Sequence, residues 1–254
     1  MSGFDAFPEP GKIRQMFDGI AGSYDRMNSL MTAGLHHRWR EMGVMLSGVG
    51  PGSTALDVCC GTGDFAFALR RAVGPEGRVV GVDVSEEMLK VAREKCGRNQ
   101  LYVEFRTGDV LDLPFPDGAA GAAAAGPAGA TGVATAAPAA MDAGQAAQAA
   151  SSAARGFDAC TVGFGIRNVA DITKAFSEMR RVCRPGGRVI FLNHFRSPNA
   201  VLGGIERLIS PLTIHVGFRA DLDLPGLLAQ AKLNPVSIEK VNIPRIWSLV
   251  TCVK

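Results

Sequence analysis

A short apolar run that ends in a glycine turn constrains the fold of this chain more than any other stretch. Residues 55–58 have the composition of a buried strand, the turn is Gly61-Thr62-Gly63, and the pattern of residues 64–73 is helical. This order brings backbone N–H groups and a helix N-terminus close to a nucleotide-like ligand. Glycine is needed because a Cβ would hold the ligand away from the backbone. The alternative interpretation is an ordinary α/β turn that binds nothing.

Acidic residues near the turn distinguish between possible ligands. Asp83 ends a second predicted strand, 22 positions after Gly61 (83 − 61), where a carboxylate would receive ribose hydroxyls. Asp109 follows a third strand, and Asp57 lies in the first. The glycine spacing alone also fits a dinucleotide, but these acids would repel a pyrophosphate and attract a ligand with an amino group and a sulfonium. The sequence therefore favours S-adenosylmethionine over NAD.

Strands and helices alternate along most of the chain. Apolar strand-like runs separated by helical patterns occur at 54–58, 78–83, 101–106, 157–163 and 188–193. This alternation predicts an α/β fold with a doubly wound, mostly parallel sheet. Two last strands, at 235–242 and 246–253, suit a hairpin added to that sheet, which makes seven strands. The 254 residues suffice for one domain, residues 1–254.

A helical segment precedes the first strand. Between Lys12 and Met27 the apolar residues recur at steps of three and four, which predicts an amphipathic helix. A second helix follows, whose predicted apolar face is Leu35, Trp39, Met42 and Leu46. Residues 12–48 either form a lid over the cofactor or simply cover the core.

A long segment interrupts the alternation in the middle of the chain. Of the 37 residues from 118 to 154, 20 are alanine and 6 are glycine, and almost none is charged. Such a composition cannot bury enough surface to offset the entropy lost on ordering. We therefore predict that 118–154 is a disordered insertion on the surface.

Composition excludes several functional classes. The net charge of +3 is small and no basic stripe is interleaved with aromatic residues, so nucleic acid is not an expected partner. The six cysteines and four histidines show no metal-ligand spacing, which predicts no metal site and reduced, mostly buried thiols in a cytoplasmic protein. No apolar stretch approaches the length of a transmembrane helix.

Five features occur in order along the chain: the glycine turn, Asp83, Asp109, Leu113-Pro114-Phe115 and the segment 184–187. Together these motifs resemble those of class I S-adenosylmethionine-dependent methyltransferases. A narrower resemblance rests on longer stretches, residues 17–28, 34–40 and 164–169, which are similar to the menaquinone/ubiquinone biosynthesis C-methyltransferases. This resemblance covers about residues 12–117 and 156–193, and implies a Rossmann-like methyltransferase sheet.

The resemblance implies a set of site residues. Gly61 and Thr62 would contact the methionine part of the cofactor, and Gly163 would form the floor of the site. The full implied cofactor set is Asp57, Gly61, Thr62, Gly63, Asp83, Val84, Asp109, Val110 and Gly163. The carboxylates suit this role, because Asp83 can accept two hydroxyl donors and Asp109 can accept an adenine amino group.

The same resemblance implies three catalytic residues, Arg167, Tyr24 and Asn168. Arg167 cannot be a base at neutral pH, but it could hold a phenolate or polarise a water. A structural salt bridge is the other interpretation of Arg167, and plain helix packing is the other interpretation of Tyr24.

The implied reaction is methylation of a ring carbon of a demethylated quinol, of the demethylmenaquinol type, in menaquinone biosynthesis. The polyprenyl quinol is dissolved in the membrane, so the enzyme would be cytoplasmic with transient contact at the inner face of the membrane. Met27, Leu30, Met31 and Leu35 are candidates for this contact, with core packing as the alternative. The sequence leaves a homodimer open.

The C-terminal third gives a competing indication of function. After Leu192 the resemblance ends, and Asn193-His194-Phe195 and Gly217-Phe218-Arg219 look more like bacterial phosphatidylethanolamine N-methyltransferases. A third hypothesis is a non-catalytic partner that binds S-adenosylmethionine within a quinone-synthesis complex. The products would separate the three: methylated quinol, methylated ethanolamine lipid, or none.

Overall fold

A computed structural model describes residues 10–118, 156–195, 222–242 and 247–254. Three helices precede the first strand: α1 (Pro10–Ile20), α2 (Tyr24–Thr32) and α3 (Leu35–Ser47). The elements that follow are β1 (Thr54–Val58), α4 (Asp64–Val73), β2 (Arg78–Asp83), α5 (Glu86–Asn99), β3 (Glu104–Thr107), β4 (Phe157–Gly163), a 3₁₀ helix (Gly165–Asn168), α6 (Ile172–Val182), β5 (Cys183–His194), α7 (Leu224–Gln230), β6 (Asn234–Lys240) and β7 (Trp247–Val253).

The strands form a seven-stranded sheet in the order β3-β2-β1-β4-β5-β7-β6. Strands β1 to β5 pair in parallel, whereas β7 is antiparallel to both β5 and β6. This confirms the predicted doubly wound, mostly parallel sheet and its closing hairpin. The chain order reverses between β1 and β4, and ligands of such sheets bind in the crevice at the carboxyl ends of the strands there.

Helices cover both faces of the sheet. On one face α6 buries Ala175, Phe176, Met179 and Val182, a helical spacing, and the Phe176 ring packs 4.0 Å from that of Phe191 on β5. On the other face, Trp39 of α3 and several side chains of α4 belong to a second apolar cluster. The buried sheet is therefore a rigid support for whatever lies at its edge.

The helices that precede β1 differ from the sequence prediction in two ways. The single helix predicted from Lys12 to Met27 is broken at 21–23, where the Ser23 side chain donates to the Ile20 carbonyl and Gly22 disfavours continuation. The predicted face of α3 is confirmed only in part, because Trp39 is buried and Met42 and Leu46 pack against the core. Leu35 is instead 45% exposed, and the buried side also includes His36 and Arg40.

Close packing at Gly43 helps to explain which side of α3 faces inward. A Cβ at Gly43 would lie 2.6 Å from Cζ of Phe65, so only glycine allows α3 to approach α4 on this side. A prediction from the spacing of large apolar residues does not count a glycine, so it could not identify Gly43 as an inward-facing position.

Other predicted bounds need smaller corrections. β3 begins at Glu104 instead of residue 101, and β5 begins at Cys183 instead of residue 188, so residues 184–187 lie within that strand. Of the insertion predicted at 118–154, only Gly118 is among the described residues, and Gly217-Phe218-Arg219 lies outside them. No described helix is both long and apolar enough to cross a membrane.

Candidate active site

A cavity of about 350 Å³ opens at the carboxyl ends of β1 to β4, where the strand order reverses. Helix α1 and the start of α2 form one wall, and the loops after the strands form the rest. The residues that line the cavity are Gly11, Ile13, Arg14, Phe17, Tyr24, Cys59, Gly61, Asp83, Val84, Met88, Gly108, Asp109, Val110, Leu111, Gly165, Asn168, Val169 and Ala170. Seven of the predicted site residues are therefore brought together here: Tyr24, Gly61, Asp83, Val84, Asp109, Val110 and Asn168.

The two glycines of the turn have different tasks. Gly61 has a φ of +54°, and a Cβ there would contact only Tyr24, at 3.8 Å, so the space above it belongs to the cavity. Gly63 has a φ of +86°, and its Cβ would lie 2.8 Å from the Phe105 ring. Gly61 leaves room for a ligand, whereas Gly63 lets α4 pack against the sheet.

Asp83 ties the turn to the next strand. Its carboxylate accepts hydrogen bonds from the backbone N–H groups of Gly61 (2.8 Å) and Ser85 (2.9 Å). Burial raises the pKa of Asp83, although these backbone bonds oppose the rise. A carboxylate has about four acceptor positions, so these two bonds leave capacity for ligand hydroxyls.

The loop after β3 forms the adjacent wall. Asp109 is exposed and accepts a hydrogen bond from the Leu111 N–H at 2.9 Å, which fixes the turn. Val110 is 4% exposed and gives the cavity an apolar surface beside that carboxylate. An apolar wall next to an acceptor suits a flat base with an exocyclic amino group.

Thr62 points away from the cavity, towards α2. Its hydroxyl donates to Asp25, and Asp25 also accepts from Lys95 of α5 at 2.9 Å. Lys95 bonds Asp64 as well, and Arg40 of α3 lies 3.3 Å from the same carboxylate. We call these five residues the lid network, because they connect α2 and α3 to the glycine turn.

The charges of the lid network are strongly coupled. Burial tends to raise the pKa of Asp64, but Arg40 and Lys95 outweigh it and the pKa lies below its usual value. The carboxylate of Asp64 therefore stays ionised and holds both cations at the start of α4.

Three further predicted residues support the site without lining it. Asp57 is fully buried on β1, where its carboxylate accepts from the Thr161 hydroxyl at 2.8 Å, and burial raises its pKa to about 7. Gly63 packs α4 as described, and a Cβ at Gly163 would lie 3.2 Å from the ring of Phe65. These residues shape the strands and helices beneath the cavity.

Arg167 and Asn168 lie on the 3₁₀ helix after β4, but only Asn168 lines the cavity. The Arg167 guanidinium lies over the Trp247 ring, 5.6 Å from its centroid. Burial lowers the pKa of Arg167, and the neighbouring Tyr24 partly opposes this. Arg167 is thus close enough to interact electrostatically with Tyr24, which lines the cavity from α2.

Sequence analysis included α1 in a possible lid over the cofactor, but it named no residue of α1 as a site residue. Ile13 and Phe17, four positions apart, line the cavity together with Arg14, and the Ser85 hydroxyl donates to Asp18 on the same helix. The spacing of Ile13 and Phe17 was visible, but it could not show which element the helix covers. Cys59 was also missed, and burial raises the pKa of its thiol well above the usual range.

One group of side chains resembles a metal site. Ligand atoms of His36, His37 and Asp64 lie within 4.8 Å of one another. The Arg40 guanidinium bonds His36 and pairs with Asp64, so a cation of the protein already stands among them. Burial, then Arg40, lowers the pKa of His36 to about 4, which keeps this ring neutral as an acceptor.

Comparisons with known proteins identify the family of the chain. The model of the ubiE/COQ5 methyltransferase family matches residues 8–126 and 142–203. A demethylmenaquinone methyltransferase of Listeria welshimeri is 37% identical over 179 residues, 70% of this chain and 60% of the relative. The match thus spans less than two thirds of that relative's length. A 2-phytyl-1,4-naphtoquinone methyltransferase of Synechococcus elongatus is 34% identical over 201 residues, 78% of this chain and 70% of the relative.

Solved structures support the fold at lower identity. A SAM-dependent methyltransferase from Aquifex aeolicus has a TM-score of 0.58 and 18% identity, and the match covers 96% of this chain and 97% of that one. A geranyl diphosphate C-methyltransferase from Streptomyces coelicolor has a TM-score of 0.56 and 16% identity, over 85% of this chain and 79% of that one. These findings do not support the phosphatidylethanolamine alternative.

Proposed function

Because the chain belongs to the ubiE/COQ5 methyltransferase family, we propose that it transfers a methyl group from S-adenosylmethionine to a ring carbon of a demethylated quinol. The acceptor class is that named for the Listeria relative, a demethylated menaquinol. The observation that carries the proposal is Asp83, which lines the cavity while bonding the backbone of Gly61.

The residues of the cavity fit this cofactor. Asp83 keeps acceptor capacity for two ribose hydroxyls, and Asp109 beside Val110 offers an acceptor and an apolar wall to adenine. The open space above Gly61 admits the methionine part close to the backbone. When bound, S-adenosylmethionine supplies a methyl group that its sulfonium makes electrophilic.

The protein's own task is to position the acceptor and to exclude water. Tyr24 and Phe17 close the side of the cavity formed by the helices, so the acceptor ring would be held in a dry site. Alignment of the reacting atoms supplies most of the rate in such a transfer. Asn168 orients the acceptor ring from the cavity wall. Arg167, the neighbouring residue, does not line the cavity, and its proposed role is to stabilise a phenolate on that ring through its positive charge.

Chain organisation is part of the proposal. Residues 1–254 form one methyltransferase domain in which 12–48 act as the lid and 118–154 as an insertion. The network from Asp25 through Lys95 to Asp64 supports this assignment, since it joins the lid to the glycine turn.

Product analysis tests the proposed function. The purified chain is incubated with S-adenosylmethionine and a short-tailed demethylmenaquinol, and the products are identified by mass spectrometry. We expect a methylated quinol. Methylation of phosphatidylethanolamine instead would reject the quinol assignment, and bound cofactor without turnover on either acceptor would reject catalysis.

A further inference from the structure

Helix α2 exposes its bulky apolar side chains. Leu30 is 85% exposed, Met31 74% and Met27 40%, and α2 has no buried residue. Positions 27, 30 and 31 are three and four apart and therefore share one side of the helix. The alternative of core packing, left open by the sequence, is thereby excluded for Leu30 and Met31.

Polar residues form the inner side of the same helix. Asp25 bonds Thr62 and Lys95, and the Ser29 hydroxyl lies 3.2 Å from Nε2 of His36. A surface helix of a globular protein normally turns its apolar side inward, so α2 is inverted. Its hydrogen bonds and ion pairs hold it in an orientation that presents apolar side chains to the outside.

Exposed cations flank this apolar side. Arg26 is exposed four positions before Leu30, and Arg38 is exposed three positions after Leu35, itself 45% exposed. We call Arg26, Met27, Leu30, Met31, Leu35 and Arg38 the lid surface.

The neighbouring acids are already engaged. Asp18 bonds Ser85, Asp25 bonds Lys95, and Glu41 pairs with Arg71 at 2.7 Å. The lid surface therefore carries a net positive charge.

Charge and polarity together select the partner. A second copy would place the arginines of two lid surfaces near each other, where like charges oppose docking. An anionic bilayer offers both an apolar interior for the methionines and leucines and phosphates for the arginines. We propose that the lid surface docks on an anionic phospholipid bilayer.

Docking at α2 would also serve the cavity. Tyr24, at the start of the same helix, lines the cavity, so a bilayer at the lid surface lies close to the site. This step rests on the proposed function, in which the acceptor is a polyprenyl quinol dissolved in lipid. The quinol ring could then enter while its tail stays in the bilayer.

Co-sedimentation with vesicles tests the docking. The full chain is mixed with vesicles of phosphatidylcholine alone or of phosphatidylcholine with phosphatidylglycerol. We expect binding to the anionic vesicles that weakens as salt is raised. The double variant L30E/M31E should bind about tenfold or more weakly, because it removes apolar contact and adds negative charge. The variant R26Q/R38Q should chiefly lose the preference for phosphatidylglycerol.

A matched control is V236E/I238E, which adds the same charges at apolar side chains of β6 that are 65% and 50% exposed. It should bind vesicles as the wild type does. Equal binding by L30E/M31E and the wild type, or no binding by the wild type, would overturn the proposal. So would a dimer of the wild type in sedimentation velocity that L30E/M31E abolishes, since a second copy would then cover the surface.

Activity on two forms of the acceptor separates this inference from the proposed function. L30E/M31E should methylate a short-tailed quinol in solution at the wild-type rate, but lose turnover of a long-tailed quinol in vesicles. Normal turnover of both by L30E/M31E would sink the docking and leave the methyltransferase assignment intact. If the wild type binds vesicles but methylates neither quinol, the docking stands and the proposed methyltransferase function is rejected.

Discussion

The two walls of the cavity are held in place by different means. The strand-end wall, formed by Gly61, Asp83 and the loops after β3 and β4, is fixed by parallel strand pairing and backbone hydrogen bonds. The lid wall, formed by α1 and α2, is fixed by a few side-chain bonds, and α2 buries none of its residues. The comparison indicates a rigid cofactor wall facing a lid whose local stability is low.

The largest effect is expected at Arg167, on the 3₁₀ helix after β4 and next to Asn168 of the strand-end wall. If it stabilises developing phenolate charge, Arg167→Ala should lower turnover by about 100-fold or more, the scale for one preorganised electrostatic group. Lysine should restore only part of the rate, since it lacks the planar fork. Steady-state methylation of a short-tailed demethylmenaquinol, with cofactor affinity determined separately, measures this. Normal turnover with reduced thermal stability would make Arg167 a structural residue stacked on Trp247.

The strand-end wall is tested at Asp83. Asp83→Ala should weaken S-adenosylmethionine binding by about 1.5–3 kcal/mol, because hydrogen bonds to a charged group are lost. Asp83→Asn keeps one acceptor oxygen, so its affinity for S-adenosylmethionine should lie between that of Asp83→Ala and that of the wild type. Calorimetry measures the S-adenosylmethionine affinity of each protein. NAD should bind neither to the wild type nor to the variants. Unchanged affinity of Asp83→Ala would show that the carboxylate does not hold the cofactor.

The lid wall is tested at Lys95, which joins Asp25 to Asp64. Lys95→Met should destabilise the lid by about 1.5–3 kcal/mol, because two carboxylates lose a charged partner. Hydrogen exchange should accelerate in α2 while the strands keep their protection.

A matched control for Lys95 lies on the same helix. The Arg98 side chain is 70% exposed and pairs with Glu94 of its own helix, so Arg98→Met should cost at most about 1 kcal/mol. Equal acceleration of exchange in α2 by both variants would mean that the lid network does not hold the lid.

The smallest effect is expected from the predicted insertion, whose described ends are Gly118 and Gly156. A Cβ at Gly156 would lie 2.6 Å from Cα of Gly118, so the two ends that flank residues 119–155 are adjacent. Replacing 119–155 by a short glycine-serine linker should change the free energy of unfolding by about 1 kcal/mol or less. Gly118 should be kept, because its N–H bonds the Arg181 carbonyl at 2.9 Å. Thermal denaturation and methylation assays would reveal any larger loss.

The sequence by itself determined the strand-end wall. The strand bounds 54–58, 78–83 and 157–163 were predicted as the structure has them, because runs of apolar residues are local signals. Residues that end parallel strands must meet at one edge of the sheet, so Asp83 and Asp109 could be placed together from their positions alone.

Only the tertiary structure decided the lid. Which side of α2 and α3 faces inward depends on partners distant in sequence, such as Asp25 with Lys95 and Gly43 with Phe65. Apolar periodicity predicts that leucine and methionine turn inward. Helix α2 is inverted because the partly buried bonds of Asp25 with Thr62 and Lys95 hold its polar side against the rest of the protein. Thr62 does not line the cavity for a similar reason, because its hydroxyl donates a hydrogen bond to Asp25 of α2. A contact between residues far apart in the chain leaves no periodic signal in the sequence.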